Sequence, residues 1–266
     1  MDEPFRIITA RNSEVPIVLS VPHCGTAFPT KIRDQYKPHL IESQDDTDWF
    51  VDVLYDFTSY LGITMIAAHY SRWLIDLNRD PESKPLYTDG RIITALCPTT
   101  TFAGELLYRD ERKEVPTVEV LQRLRDYYQP YHDKIGELLN ARKRKFGKVL
   151  LWDCHSIRQF VPTVYKEKFP DMILGDADGT SASPGLIETT LGVLDHSNYS
   201  VHHNHPFKGG YITRHFGKPS EHQHALQLEM TKVNYMDDAE KQYQTGRAEG
   251  VRDVLKNVFE KLIDQL

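Results

Sequence analysis

Two short apolar runs, each leading to a histidine, most strongly constrain the fold of this 266-residue chain. Residues 16–21 precede His23, and residues 148–153 precede His155. A continuous apolar run of about four to eight residues is typical of a strand buried on both faces of a sheet. In open α/β sheets, ligands and catalytic groups collect beyond the carboxyl ends of the strands. We therefore expect both histidines at one edge of an α/β sheet, where they would form half of a mononuclear metal site.

The remaining chain alternates between strand-like and helix-like patterns. Strands are predicted at 16–21, 63–68, 73–77, 148–153, 172–175, 199–203 and 224–230. Helices are predicted at 48–61, at 117–145 with an interruption near Pro130, and at 237–265. Segments 78–116 and 204–223 show no sustained period, and long irregular stretches of this kind usually carry function or are mobile. No repeat or linker divides the chain, which predicts a single domain over residues 1–266.

Composition and charge favour a cytoplasmic enzyme. The net charge is −6, and the basic run at 142–145 is typical of a solvated helix end, so a nucleic-acid partner is not expected. No apolar run approaches the ~18 residues that cross a membrane, and the N-terminus has no signal-peptide pattern. The three cysteines form no C-x-x-C pair, which fits a reducing compartment. No pattern indicates an oligomeric state.

The third ligand of the predicted metal site is left open by the residues themselves. A catalytic Zn²⁺ is often held by two histidines and a carboxylate, with one position free for water. The acidic segment 45–48 lies at the start of the predicted helix 48–61, and either Asp46 or Asp48 could supply the carboxylate. An aspartate here could instead cap the helix, because its oxygen accepts hydrogen bonds from the free N–H groups of the first turn.

A second polar group surrounds the predicted strand at 73–77. Arg72 lies at its start, and Asn78 and Arg79 follow its end. The planar fork of arginine matches a carboxylate bidentately, so this group suits a substrate that carries acid groups. The alternative is structural, with either arginine paired to Asp76 or Asp80.

Two further segments contain candidate functional residues. Adjacent glycines within 207–217 are flanked by Lys208 and Arg214, which would suit a loop that folds over an anion, although a flexible hairpin has the same composition. Glu229 is a charge within the mostly apolar predicted strand 224–230. A carboxylate in such a setting is either paired structurally or has a raised pKa suited to general-base work.

Six segments occur in a fixed order between about residues 20 and 236: VPHCGTAFP, DTDWFVDVLYDF, YSRWLIDLNRDP, LLWDCHSIR, FKGGYITRHFG and HALQLEMTKVNYMDD. Each is weakly specific alone, but the ordered set resembles the N-formylglutamate amidohydrolase (N-formylglutamate deformylase) family of histidine degradation. That family is related to zinc carboxypeptidases and aspartoacylases. The resemblance implies a phosphorylase/hydrolase-like α/β fold in which helices flank a central mixed sheet. It also implies hydrolysis of N-formyl-L-glutamate to formate and L-glutamate.

The same resemblance implies roles for the candidate residues. It implies one zinc ion per chain, or another divalent metal, held by His23, by His155 and by Asp46 or Asp48. Glu229 resembles the glutamate that activates the attacking water, and Arg72 resembles the arginine that polarises the scissile carbonyl. The two carboxylates of a small-molecule substrate would be bound by the other candidates: one by Asn78 and Arg79, the other by Arg214 or Lys208.

The chain departs from the pattern of these relatives at two positions. Carboxypeptidases and aspartoacylases have a ligand glutamate three residues after the first histidine, where this chain has Thr26. The third ligand must therefore come from elsewhere. Cys24 stands where many family members have serine, and it could contact the metal or simply replace a small polar residue.

Other functions fit part of the pattern. N-formylaspartate or another N-acyl acidic amino acid differs from N-formylglutamate by a methylene or a small acyl group, and a methylene changes discrimination by only ~1–3 kcal/mol. A two-manganese ureohydrolase would need an aspartate at the end of the segment Asp153–Ile157, which this chain lacks. A non-catalytic protein that binds a metal or an amino acid would need no base, yet Glu229 is present.

Overall fold

A mixed seven-stranded sheet forms the centre of the computed structural model, which describes residues 3–84 and 94–266. The strands are β1 (Phe5–Ile8), β2 (Ile17–Val21), β3 (Thr64–Ala68), β4 (Val149–Ile157), β5 (Met172–Gly175), β6 (Val201–His203) and β7 (Gln223–Thr231). Their order across the sheet is β1-β3-β2-β4-β7-β5-β6. The four central strands β3, β2, β4 and β7 are parallel, while β1 and β5 run antiparallel to β3 and β7. The carboxyl ends of the four central strands therefore lie at one edge.

Helices flank this sheet. They are α1 (Thr30–Arg33), α2 (Pro38–Glu42), α3 (Val51–Leu54), α4 (Thr117–Arg123), α5 (Gln129–Phe146), α6 (Pro184–Leu194), α7 (Tyr211–Phe216) and α8 (Thr245–Gln265). Short 3₁₀ helices lie at Asp56–Leu61, Pro219–Glu221 and Lys232–Asn234, and a π-helical turn at Leu124–Tyr128 joins α4 to α5. None of the helices in the described part of the chain is both long and apolar enough to cross a membrane.

Both faces of the sheet bury apolar side chains, which explains the continuous apolar runs. In β2, Ile17 and Leu19 pack in a cluster with residues of α6 and α8, whereas Val18 packs in a second cluster with residues of α5. Successive strand residues point to opposite faces. A strand that is covered on both faces needs an apolar residue at every position.

The same alternation places the polar strand residues on one face. Leu151 of β4 and Ala225 of β7 belong to the α5 cluster. Asp153 and His155 follow Leu151 at intervals of two, and Glu229 follows Ala225 at an interval of four. All three polar side chains therefore point to the α5 face of two neighbouring parallel strands.

The α/β class with a central mixed sheet flanked by helices is confirmed, and six of the seven predicted strands lie within a few residues of their expected bounds. The prediction of a strand at 73–77 is wrong, because these residues form a buried turn. Trp73 and Leu74 are apolar because they fill two separate clusters beside the sheet, not because they pair with a strand. Strand β1 lies at the sheet edge and was not expected.

The observed helices begin and end at residues other than those predicted. The segment 48–61 is helical only as α3 and the following 3₁₀ helix, since Phe50 has a left-handed φ of 62° that a right-handed helix cannot continue through. The helical run 117–146 continues through Pro130, and the expected interruption is the π-helical turn just before it. Such a turn accommodates a proline, which lacks a backbone donor and crowds the preceding turn. The last helix starts at Thr245 instead of residue 237.

The observed structure also differs from the prediction in the two segments that were expected to be irregular. Segment 204–223 contains α7, a helix that follows the adjacent glycines. Within 78–116, residues 85–93 lie outside the described residues, and the described remainder contains only isolated bridges such as Thr100 with Leu106.

Candidate metal centre and active site

His23, Asp48 and His155 converge at the carboxyl edge of β2 and β4. His23 follows the end of β2, and its carbonyl accepts a hydrogen bond from Asp48 N at 3.0 Å. The Oδ2 atom of Asp48 lies 3.5 Å from His23 Nδ1 and 3.2 Å from His155 Nδ1. Each of the three residues is at most 3% exposed. One candidate ligand atom from each lies within 4.8 Å of the other two, which is a spacing that a single metal ion can bridge. We refer to His23, Asp48 and His155 as the ligand group.

Each histidine also contacts a carboxylate through its other ring nitrogen. His23 Nε2 lies 2.8 Å from Asp76 Oδ1, and His155 Nε2 lies 3.0 Å from Asp153 Oδ2. A carboxylate in this position accepts the Nε2–H bond, so the tautomer leaves Nδ1 as a free lone pair. His23 Nδ1 and Asp48 Oδ1 are buried without a hydrogen-bond partner in the described chain. Atoms of this kind fit a bound divalent cation.

The buried charges around the group have an excess of negative sign. Four carboxylates are buried, those of Asp46, Asp48, Asp76 and Asp153, whereas the buried cations beside them are Arg72 and Lys232. Buried charges are costly unless they are paired or bind metals. A bound divalent cation would offset this excess of negative charge.

The two candidate aspartates have different partners. The Oδ2 atom of Asp46 accepts hydrogen bonds from Trp73 Nε1 at 2.8 Å and from Phe102 N at 3.0 Å. Asp48 faces the histidines, and no side chain caps the N-terminus of α3. The structure therefore brings Asp48 into the ligand group and leaves Asp46 outside it, bound to other parts of the chain.

Arg72 lies beside this group and is itself buried. Its Nη2 donates to Asp76 Oδ2 at 2.8 Å, and its Nη1 lies 3.6 Å from Asp48 Oδ1. The guanidinium carbon lies 4.8 Å from the ring centre of Phe102. The structural pairing with Asp76 that the sequence left open is therefore present, in a position that also faces the ligand group.

Glu229 stands opposite His155 in the register of β7 and β4. Its carboxylate makes no hydrogen bond or ion pair with the part of the chain that the structure describes, and it is partly buried. Burial raises the pKa of Glu229 to about 8. This carboxylate is thus an unpaired acid–base group one strand away from a candidate ligand.

Asn78 connects the glycine-containing segment, residues 207–217, to this site. Its Oδ1 accepts a hydrogen bond from Ile212 N at 2.8 Å, and its Nδ2, 3.0 Å from His155 Nε2, donates to Asp153 Oδ2 at 3.4 Å. A Cβ atom at Gly210 would lie 2.2 Å from Asn78 Nδ2, so only glycine permits this close approach. Asn78 is buried, and it holds the start of α7 against His155.

The other three cationic candidates are only partly buried. Arg79 Nε donates to Thr94 O at 3.2 Å. Within the glycine-containing segment, Arg214 Nε donates to Gly209 O at 3.0 Å, and Lys208 Nζ donates to Asp178 Oδ2 at 2.9 Å. The Lys208 side chain is 43% exposed. Arg79 Nε also lies 3.9 Å from Oδ2 of Asp76, the carboxylate that contacts His23.

Comparison with known proteins identifies the family. The family model described as N-formylglutamate amidohydrolase matches residues 15–236. This chain belongs to the N-formylglutamate amidohydrolase family. It is 40% identical over 266 residues to an N-formylglutamate deformylase of Pseudomonas aeruginosa, with 99% of this chain and 97% of the relative covered. It is 38% identical over 264 residues to an N-formylglutamate deformylase of Pseudomonas putida, with coverage of 97% and 96%.

Solved structures support the same family and fold. An N-formylglutamate amidohydrolase from Ralstonia eutropha JMP134 has a TM-score of 0.82 and 27% identity, with 98% of this chain and 97% of that chain covered. A protein from Agrobacterium tumefaciens has a TM-score of 0.72 at 18% identity, with coverage of 98% and 96%, and it supports the fold alone. The chain is therefore an amidohydrolase-family enzyme with the fold of that family.

Cys24, which the sequence left as a possible metal contact, is not one of the three residues of the ligand group. Cys24 Sγ donates to Val21 O at 3.5 Å and to Ala68 O at 3.6 Å. Burial raises the pKa of the Cys24 thiol far above its ordinary value. A neutral thiol held by backbone carbonyls is consistent with replacement of a small polar residue.

Sequence reasoning missed the buried charges that support the site. Asp76, Asp153 and Lys232 were not among the candidates, although Asp76 and Asp153 interrupt apolar runs, as Glu229 does. A charge inside such a run signals a buried group that needs a partner. That signal could have found both aspartates that hold the histidine rings.

Proposed function

We propose that this chain is a cytoplasmic, zinc-dependent N-formylglutamate deformylase of histidine degradation, which hydrolyses N-formyl-L-glutamate to formate and L-glutamate. One observation carries the proposal: two Nδ1 atoms and one carboxylate converge, and each histidine has a carboxylate on its Nε2. The names of the two Pseudomonas relatives support the substrate. The three cysteines are free thiols, which supports a reducing compartment.

The proposed ligands of one zinc ion are His23, Asp48 and His155. A bound divalent metal supplies Lewis acidity, which activates water near neutral pH and polarises a carbonyl oxygen. Asp76 and Asp153 contact the Nε2 atoms of the two imidazoles, which would leave both Nδ1 atoms available to the ion. Asp46 is not part of this proposal, because its carboxylate is bound by Trp73 and Phe102.

Glu229 is the proposed general base and acid. Its carboxylate would take a proton from the attacking water and deliver it to the amine nitrogen as the C–N bond of the formamide breaks. The support is its place opposite His155 and its lack of a partner among the described residues. A carboxylate already engaged in an ion pair would be a weaker base.

Arg72 is the proposed stabiliser of the oxyanion that forms on the formyl oxygen. Its guanidinium is buried beside Asp48 and is oriented by Asp76 and the ring of Phe102. Fixed donors in a water-poor site stabilise developing charge more than water does, because they need no reorganisation during the reaction.

The substrate carries two carboxylates, and each needs a cationic partner. Arg79 is the proposed partner of one carboxylate, and Asn78 supports it by holding the loop around Gly210 in place. For the other carboxylate, the sequence offers Arg214 or Lys208. Both lie on the segment that Asn78 connects to the site.

The test is release of formate by the purified chain from N-formyl-L-glutamate, N-formyl-L-aspartate and N-acetyl-L-glutamate. We expect turnover with N-formylglutamate, loss of turnover after treatment with a chelator, and recovery when zinc is added. Metal analysis should give one ion per chain, which would also exclude the two-metal ureohydrolase chemistry. Full activity of the metal-free protein, or no formate from any substrate, would contradict the proposal.

A further inference from the structure

A cavity of about 260 Å³ lies next to the ligand group and is not used by the proposed mechanism. Its wall includes Phe102, whose ring centre lies 4.8 Å from the guanidinium carbon of Arg72, and also Trp73 and Asp46, which lie one residue from Arg72 and two residues from Asp48 in the chain. Pockets that hold a whole ligand usually measure about 300–1,000 Å³. The size and position of this cavity suit one side chain of a ligand whose reacting group lies at the metal.

The walls of the cavity combine apolar surface with a buried cation. Phe102, Phe160 and Val161 contribute apolar surface, and Lys232 and Arg158 contribute positive charge. The wall also contains three carboxylates, each already engaged: Asp45 by Arg158, Asp46 by Trp73 and Glu105 by His39. Arg158 is already bound, through Nε to Glu240 Oε2 at 2.6 Å and through Nη1 to Asp45 Oδ2 at 3.2 Å. Lys232 is therefore the cation with bonding capacity left.

Lys232 is only 2% exposed, which is rare for a lysine. Its Nζ donates one hydrogen bond, to Asp45 O at 2.7 Å, and makes no other within the described residues. An ammonium group has three donors. Burial lowers the pKa of Lys232, while the nearby carboxylates of Asp46 and Asp48 oppose that change. A carboxylate placed against this ammonium would satisfy donors that the protein leaves free.

We propose that this cavity binds the side chain of the N-formyl amino acid, with Lys232 as the partner of its terminal carboxylate. The inference rests on the proposed deformylase function and names the specificity residue of that site. The methylenes of a glutamate side chain would pack on the apolar walls, and its carboxylate would reach Lys232. Lys208 is a weaker candidate, because its half-exposed ammonium already pairs with Asp178 and exposed pairs contribute little.

The experiment compares N-formyl-L-glutamate with N-formyl-L-glutamine, which has nearly the same shape but no side-chain charge. The wild-type chain should prefer the acid, measured as the ratio of the two kcat/KM values. Removing one partner of a buried charge pair is expected to lower this ratio at least ~30-fold in Lys232→Met. The variant should retain its bound metal and its kcat/KM for N-formylglutamine within a few-fold. The variants Lys208→Met and Arg214→Met test the rival anchors in parallel.

A second variant keeps the test decisive if Lys232→Met does not fold. Phe160 lines the cavity and is 52% exposed, so Phe160→Glu should fold and should raise KM for the acid more than for the amide. Val118→Glu, at a 69% exposed position on α4, is the matched control and should change neither KM value.

Equal use of both substrates by the wild type would overturn the subsite while leaving deformylation intact. The subsite would also be overturned if the preference for the acid over the amide disappears in Lys208→Met or Arg214→Met but is retained in Lys232→Met. If neither substrate releases formate, the function itself fails.

Discussion

The carboxylate of Asp153 provides the sharpest test of the metal centre, because it contacts a candidate ligand but would not itself bind the ion. Its Oδ2 lies 3.0 Å from His155 Nε2 and 3.4 Å from Asn78 Nδ2. The variant Asp153→Asn keeps the size of the side chain and removes its charge. Loss of such a partner typically weakens metal affinity about 10–100-fold, which corresponds to about 1.4–2.7 kcal/mol.

The same substitution should affect the metal-free protein differently. Asp153 is one of four buried carboxylates beside two buried cations, so its neutralisation reduces the excess negative charge in the metal-free protein. We therefore expect a Tm of the metal-free variant equal to or above that of the wild type. A purely structural role would instead lower the Tm with and without metal.

The assay is competition for zinc with a chromophoric chelator, combined with thermal unfolding of the metal-free and zinc-loaded proteins. Asp176→Asn is the matched control, because Asp176 is also 0% exposed and pairs with a histidine, His203, at 2.7 Å. It lies outside the ligand group, and its substitution should leave zinc affinity unchanged. Wild-type zinc affinity in Asp153→Asn, or an equal loss in Asp176→Asn, would refute the reasoning.

Three further predictions follow from particular contacts. Glu229→Gln should keep one metal per chain and lose kcat by about 10²–10⁴-fold, since the amide cannot accept the proton of water. Gly210→Ala should lower kcat/KM at least ~10-fold, because its Cβ would collide with Asn78 at 2.2 Å and displace the loop from His155. Burial lowers the pKa of His132 to about 4 from an ordinary value of 6.5. The unfolded chain therefore binds more protons, and stability should fall by about 3 kcal/mol as pH drops from about 6.5 to about 4. His132→Gln should reduce this slope in urea unfolding.

Each of these has a control and a contradicting result. Near wild-type kcat in Glu229→Gln would remove it as the base. Gly136→Ala on α5, where a Cβ meets open space, should retain activity, and full activity in Gly210→Ala as well would contradict the tight contact. For His132→Gln the control is the wild type, unfolded in urea at each of the same pH values. An unchanged slope in His132→Gln would show that other groups determine it.

Much of the fold could be predicted because burial leaves a local signal in the chain. The strands β2, β4 and β7 are covered on both faces, so nearly every position had to be apolar, and the polar residues at their ends and within them stood out. The turn at 73–77 has the same apolar pattern without strand pairing, since pattern reports burial and not hydrogen bonding. Backbone pairing distinguishes the two cases, because β2 pairs with β3 and β4 whereas residues 73–77 belong to none of the strands of the sheet.

The amino-acid sequence by itself determined which side chains would gather at the sheet edge, because His23, His155 and Glu229 are carried there by their own strands. It did not distinguish Asp46 from Asp48, which lie two residues apart in one acidic segment. The tertiary structure decided that placement, because Trp73 Nε1 and Phe102 N, both distant along the chain, bind the carboxylate of Asp46 and leave Asp48 facing the imidazoles. Which atoms are free to bind a ligand depends on which are already satisfied by distant partners, and those partners are known only once the chain has folded.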